Sequence, residues 1–163
     1  MMDAEAATKS LISTMKGWKL SADDMAKVVD NVTALDTKFA TTAGDIMTAM
    51  SRANVSAGMS GMSIEDFESY ITTILDTSQL SAETVGTSMK TLIARFGNVK
   101  AGKFADSYDP NSENAEEYEA LNDIETVLSK VGVATRNSVG DFRDMSDVLS
   151  DIATKWTTFD EVT

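Results

Sequence analysis

The run from Asp106 to Glu117, Asp-Ser-Tyr-Asp-Pro-Asn-Ser-Glu-Asn-Ala-Glu-Glu, is the part of this sequence best supplied with metal-ligating atoms. Its carboxylates, amides and hydroxyls crowd a stretch of turn formers, a donor set that suits Ca²⁺. It does not make an EF-hand in either register. Counted from Asp106, Tyr108 and Pro110 fall at ligand positions; counted from Asp109, Asn114 stands where glycine is needed and Ala120 where the bidentate glutamate belongs. A solvated acidic loop leading into a helix accounts for the run, so no metal site is assigned. Three carboxylate pairs, Asp23/Asp24, Glu65/Asp66 and Glu116/Glu117, carry the groups that acid–base chemistry uses. Each falls in the first turn of an expected helix, where negative charge complements the helix dipole.

What is missing narrows the chemistry further. The 163 residues include no histidine and no cysteine. Ser-His-Asp and Cys-His catalysis, His-ligated metals, thiolate zinc sites and disulfide scaffolds are thereby excluded within this chain. No G-x-G-x-x-G, Walker A or G-x-S-x-G motif occurs. The chain is expected not to be an enzyme: no catalytic, cofactor-binding or metal residue is assigned, and no cofactor is expected. Against 26 acidic residues stand 14 basic ones, a net charge of −12. That balance disfavours phosphate backbones and anionic lipid, which need clustered Lys and Arg. No apolar run approaches the roughly 18 residues of a membrane span, and the acidic start Met1–Glu5 lacks the apolar core of a signal peptide.

The elements that would position any site are helical. There is a single proline, Pro110, and few alternating β-branched runs. Ser21, Ser63 and Ser81 each precede acidic residues and an apolar stripe at helical spacing. The stripes are Met25, Val28, Val29, Val32, Leu35 and Phe39; then Ile64, Phe67, Ile71, Ile74 and Leu75; then Val85, Met89, Leu92, Ile93 and Phe96, with Gly97-Asn98 as the expected stop. Further helices are expected over Asp3–Trp18, over Asp45–Arg52, from about Ala115 to Gly132, and from Met145 towards Trp156. The pattern Leu20-Ser21, Met62-Ser63, Leu80-Ser81 recurs at unequal intervals, which reads as a common cap and not a solenoid repeat.

Two short runs, Val133–Arg136 and Asp141–Arg143, flank Asn137-Ser-Val-Gly140 and suggest a small β-hairpin near 133–143. The fold class expected is all-α, a bundle of about six short helices with that hairpin. Residues 1–19 are expected to form an N-terminal helix continuing a longer chain. Residues 20–163 are expected to form a helical domain with a long exposed loop at 100–114. Ala57-Gly-Met-Ser-Gly-Met62, following Met47 and Met50, reads as an inter-helix turn with methionine core filler, or as a hinge with an adaptable surface. Trp18 and Trp156 are expected to anchor the terminal helices.

Val85-Gly-Thr-Ser-Met-Lys-Thr-Leu-Ile-Ala-Arg-Phe-Gly97 resembles the glycine-threonine…lysine…arginine helix of phage tail tape-measure proteins. Leu128–Asp144 resembles the segment that follows it there, with its glycine turn and its aromatic-arginine-aspartate exit. Met145–Val162 and Asn54–Leu80 extend the resemblance over about residues 20–163, the core region of that family. Val139 in the turn and the length of loop 100–114 depart from the family pattern.

The resemblance implies a virion component, a minor tail protein of a phage or prophage. It would be one domain of a longer tape-measure chain in the tail-tube lumen, present in the host cytoplasm during assembly. The implied roles are tail assembly, length determination and genome ejection. The implied partners are tail-tube and tail-tip or baseplate proteins, tail assembly chaperones and other tape-measure copies. No direct nucleic-acid reading is implied, and membrane contact would come only during ejection. An acidic domain would not adhere to passing DNA. The alternative reading is a membrane-perturbing delivery module acting on the host envelope during ejection.

Overall fold

The computed structural model describes residues 4–78, 80–100 and 125–156. The chain divides into two compact units, residues 1–94 and 95–163. In the first lie α1 (Ala4–Trp18), α2 (Ala22–Lys38), α3 (Ala43–Ser60) and α4 (Ile64–Ser78), together with most of α5 (Ala82–Lys100). The second holds the end of α5, a helical stretch at 125–130 and α6 (Met145–Lys155).

The starts of the helices are built as their sequence suggests. Ser21 forms a capping box: the Asp24 N–H donates to its hydroxyl at 3.2 Å, and its own N–H donates to the Asp24 carboxylate at 3.3 Å. Thr42, Ser63 and Ser81 accept from the N–H groups of Asp45, Asp66 and Thr84 at 3.0–3.2 Å. The glycines behave otherwise than expected. Helix α3 runs past Arg52 through Gly58 to Ser60, ending only where Gly61 adopts φ +84°. Helix α5 likewise continues through Gly97 to Lys100.

Helices α3 and α5 begin at Ala43 and Ala82, 39 residues apart. Their partners α2 and α4 follow caps at Ser21 and Ser63, 42 residues apart. The join repeats too: Lys19 (φ +55°) and Gly61 (φ +84°), also 42 apart, are the left-handed residues between successive helices. The first unit is a stack of helices whose caps and joins recur at intervals of 39 and 42 residues. Repeat-mates share burial, with Ile46 and Val85 both 0% exposed, Met50 and Met89 at 0% and 5%, and Asn54 and Ile93 at 1% and 3%.

Helix α3 is the centre of this stack. Its buried residues are Ile46, Met47, Ala49, Met50, Ala53, Asn54 and Ala57. Helix α1 covers one side, where the backbones nearly touch. A Cβ on Gly58 would stand 2.0 Å from the Gly17 carbonyl oxygen, and one on Gly17 2.8 Å from that of Asn54. Helix α5 covers another, where a Cβ on Gly86 would stand 2.3 Å from the Ala49 carbonyl oxygen. Helix α4 packs its stripe of Ile64, Phe67, Ile71 and Leu75. Trp18 anchors α1 as expected, donating its indole N–H to the Met62 carbonyl at 2.9 Å, with its ring 5.4 Å from Phe67.

In the second unit the expected β-hairpin at 133–143 is not formed. Arg136 and Phe142 make one isolated antiparallel bridge, with no strand among the described residues. Competing bonds stop the ladder. The Val133 N–H donates to the Leu128 carbonyl at 2.8 Å, and the Ala134 carbonyl is taken by the Arg143 guanidinium at 2.7 Å. Beyond Arg143, Asp144 already accepts the first bond of α6, from the Val148 N–H at 3.1 Å. Residues 101–114 of the expected loop, and the part of the expected helix up to residue 124, lie outside the described residues.

Candidate functional site

The helix stack supplies the most distinctive surfaces of the first unit. Ser10 and Thr14 of α1 and Asn54 of α3 are buried between those two helices. The Thr14 hydroxyl donates to the Ser10 carbonyl at 3.0 Å. The Asn54 amide donates to the Met50 carbonyl at 2.8 Å and accepts from the Thr14 N–H at 3.1 Å. The Thr14 hydroxyl and the Asn54 amide thus keep hydrogen-bond partners in the seam. Small residues set the spacing and the amide fixes the register.

On the open side of α1, a cleft of about 820 Å³ lies between α1, α2 and the start of α3. Leu11, Val29, Val32 and Met47 line it, with Asp36 and Asp45 among its polar groups. Ile12 and Val29 are each 42% exposed.

A recess of about 190 Å³ between α2 and α4 holds the one carboxylate among the described residues that is buried, Glu68. It is 2% exposed. Its Oε2 accepts a long bond from the Asn31 amide at 3.4 Å, while Oε1 has no partner. One turn on, the buried Thr72 hydroxyl is also unpartnered. Burial pushes the Glu68 carboxyl up to about 7; the Asn31 bond opposes this and the Glu65 charge adds to it.

In the second unit, the 133–143 segment is a braced turn. The Asn137 side-chain oxygen accepts from the N–H groups of Val139 and Asp141 at 3.0 and 2.9 Å, leaving Val139 82% exposed at the tip. Glu125 accepts from the Thr135 hydroxyl and the Arg136 guanidinium, both at 2.8 Å. Arg136 also lies 5.6 Å from the centre of the Phe142 ring, which Phe96 meets edge-on. Arg143 pairs with Asp151 at 2.7 Å, and Lys155 donates to the Gly132 carbonyl.

These positions sort the residues singled out by sequence. The pairs Asp23/Asp24 and Glu65/Asp66 lie at helix starts, and the Ser21 hydroxyl and backbone hold Asp24 below the ordinary carboxylate range. Glu116/Glu117 and the acidic run 106–117 lie outside the described residues. Of the methionines, Met47, Met50 and Met62 are buried filler, whereas Met59 is 84% exposed. Trp156 is 66% exposed, so burial does not anchor it. Glu68 went unnoticed, although it occupies the apolar stripe of α4 four residues after Ile64. Among the described residues no acidic cluster could hold a metal, and no helix is long and apolar enough to cross a membrane.

Residues 1–163, the whole chain, match the family model described as phage-related minor tail protein. No solved structure matches the chain.

Proposed function

From the premise that this chain belongs to the phage-related minor tail protein family and so serves a phage tail structurally, we propose that it is a segment of a tape-measure protein. It would act in tail assembly and genome ejection from within the tube lumen, without catalysis. The whole-chain family match carries the reading, and the resemblance of Val85–Gly97 and Leu128–Asp144 to tape-measure motifs sharpens it. Its partners would be tube, tip or baseplate proteins, tail assembly chaperones and other tape-measure copies.

The two-helix stack bears on which part of the task this segment performs. A fully extended helix of 39 residues would span about 58 Å at 1.5 Å per residue. One more repeat in a stack adds only about 8–10 Å, the spacing of packed helices. We therefore assign the first unit to assembly and ejection and place the ruler proper elsewhere in the tape measure.

The test is an in-frame deletion of residues 43–81 from the phage gene. It removes α3 and α4 and leaves Thr42 to cap α5. Electron microscopy of the tails and plaque counts are the two readouts. The expected result is tails within about 10 Å of normal length with lost infectivity. Tails shorter by about 58 Å would overturn the compact assignment. Fully infectious phage with normal tails would overturn the functional role.

A further inference from the structure

Helix α2 lies between two spaces. On one flank Val29, Thr33 and Asp36 line the cleft of about 820 Å³ towards α1, and on the other Ala34, Leu35 and Lys38 line the recess of about 190 Å³ towards α4. It buries three side chains, Met25, Val28 and Val32, where α3 buries seven and α4 six, so α2 is the more lightly seated of the three. Non-helical joins bound it at both ends, Lys19–Ser21 and Phe39–Thr42. Its ties to α4 include the Asn31 amide on Glu68, at 3.4 Å too long to hold a helix. The Ala40 N–H on the Asp76 carboxylate, at 2.8 Å, lies beyond the end of α2 and holds the join.

Beneath this lightly seated helix is a carboxylate. Oε1 of Glu68 has no partner and is closed off from solvent, and so is the Thr72 hydroxyl, one turn on along the same face of α4. An ionised carboxylate placed this way lacks the hydrogen bonds or opposite charge that make its burial tolerable. The charged groups facing it supply neither. Glu65, one turn earlier on α4, repels the charge; Lys38 of α2 lines the recess but forms no ion pair with Glu68; no charged side chain of α1, α3 or α5 lines it. Burial accordingly pushes the carboxyl up to about 7. Glu68 can lose its proton with the charge sealed in, or with α2 raised and water admitted through the recess. The second route displaces one lightly seated helix and gives both orphaned atoms a partner.

We propose that α2 is a pH-gated strap, closed over α4 while Glu68 is protonated and lifting at the Lys19–Ser21 and Phe39–Thr42 joins when Glu68 ionises. Lifting bares Val28, Val32 and the Glu68 face of α4 to water and leaves α3 and α4 folded, so it is a local opening and not a uniform loosening of the unit. The closed form holds the proton more tightly than the open form. Opening is therefore rarest below about pH 4.5, grows as the pH rises and levels off above about 7. That displacement makes the ratio of open to closed about 100-fold larger at about pH 8 than at pH 4.5. The inference rests on the packing within the first unit alone, so its failure would leave the tail role untouched.

The test is amide hydrogen exchange of the whole chain and of Glu68→Gln, read by mass spectrometry between pH 4.5 and about 8 and corrected for the intrinsic pH dependence of exchange. In the parent the amides of α2 are expected to lose protection about 100-fold over that range. At the upper pH they should exchange at least ~10-fold faster than those of α3. In urea too dilute to unfold the chain, the α2 rates should stay constant while those of α3 rise, because only global unfolding exposes much surface. In Glu68→Gln the protection of α2 should be the same at both pH values. Three results would overturn the proposal: α2 protection that does not change with pH in the parent; α2 and α3 falling to one level with one urea dependence, which means that Glu68 ionises only when the whole unit unfolds; or the pH dependence of α2 persisting in Glu68→Gln, which assigns it to another group.

Discussion

Replacing Glu68 by glutamine isolates the cost of burying a carboxylate in the α2–α4 seam. Glu68 is 2% exposed, its Oε1 has no partner, and its carboxyl is pushed from 4.5 up to about 7. A folded-state value above the unfolded one means that the native chain holds the proton more tightly. Stability is therefore fully present below about pH 4.5, declines as the pH rises towards 7, and levels off above it. At 1.36 kcal/mol per pH unit, the displacement corresponds to about 3 kcal/mol at pH 8. The groups around the recess do not cancel this: Glu65 repels the charge, Asn31 stabilises it through one long bond, and Lys38 lines the recess without an ion pair to Glu68 among those formed.

Glutamine keeps the shape and the Asn31 neighbour but cannot ionise, so Glu68→Gln is expected to be about 3 kcal/mol more stable than the parent at pH 8 and nearly equal to it at pH 4.5. A Trp156→Phe background leaves Trp18, packed on Phe67 next to Glu68, as the only indole. Urea unfolding followed by its fluorescence then reports the first unit. With a slope of about 2 kcal/mol per molar urea, the midpoints should differ by about 1.5 M at pH 8. The net charge of −12 also weakens the fold as pH rises, so the quantity that decides is the difference between variant and parent. A difference that stays the same from pH 4.5 to 8 would refute the reasoning.

Two further substitutions test the geometry of the stack. Gly58→Ala should cost at least about 2 kcal/mol in the same fluorescence assay, because backbone meets backbone there and α1 must move; an unchanged midpoint would refute the close crossing. Lys19→Gly should stabilise by about 1 kcal/mol, since Lys19 holds φ +55° where its repeat-mate Gly61 already has glycine; a loss of stability would show that the lysine side chain matters more than its backbone.

Helix starts were the most legible part of the fold. Ser21, Ser63 and Ser81 cap as their following residues foretell, because capping is settled within four residues. Glycines misled in both α3 and α5. Read locally, Gly58 and Gly97 weaken a helix, yet Gly58 is kept for a close approach that only the tertiary fold defines. The hairpin failed for the same kind of reason: the bonds that break its ladder come from Leu128 and the Arg143 side chain, which no period-two pattern reveals. The repeat was hidden because its two series of caps interleave. Ser21 pairs with Ser63 and Thr42 with Ser81, so serine alone gives unequal intervals. Glu68 was hidden because a glutamate at a helix stripe is usually solvated, and its burial depends on how α2 lies over α4.

The joints of the stack differ in kind, and the difference bears on the proposed role in ejection. Helix α4 buries Ile64, Phe67, Ile71 and Leu75, large side chains whose burial contributes about 1.5–3 kcal/mol each. Helix α1 meets α3 through Ser10, Thr14, Gly17, Asn54 and Gly58, which bury little apolar area and rely on fit and on hydrogen bonds that water can replace. Large apolar side chains thus hold α4, whereas α1 is held by close backbone fit and hydrogen bonds, with Trp18 tying it to Phe67 and the Met62 carbonyl. Parting α1 from α3 is expected to give up less large-side-chain burial than unpacking α4. Separation exposes serine, threonine and glycine more than leucine or phenylalanine. On the proposed ejection role, such a parting would present polar faces that do not adhere to the tube wall or to one another.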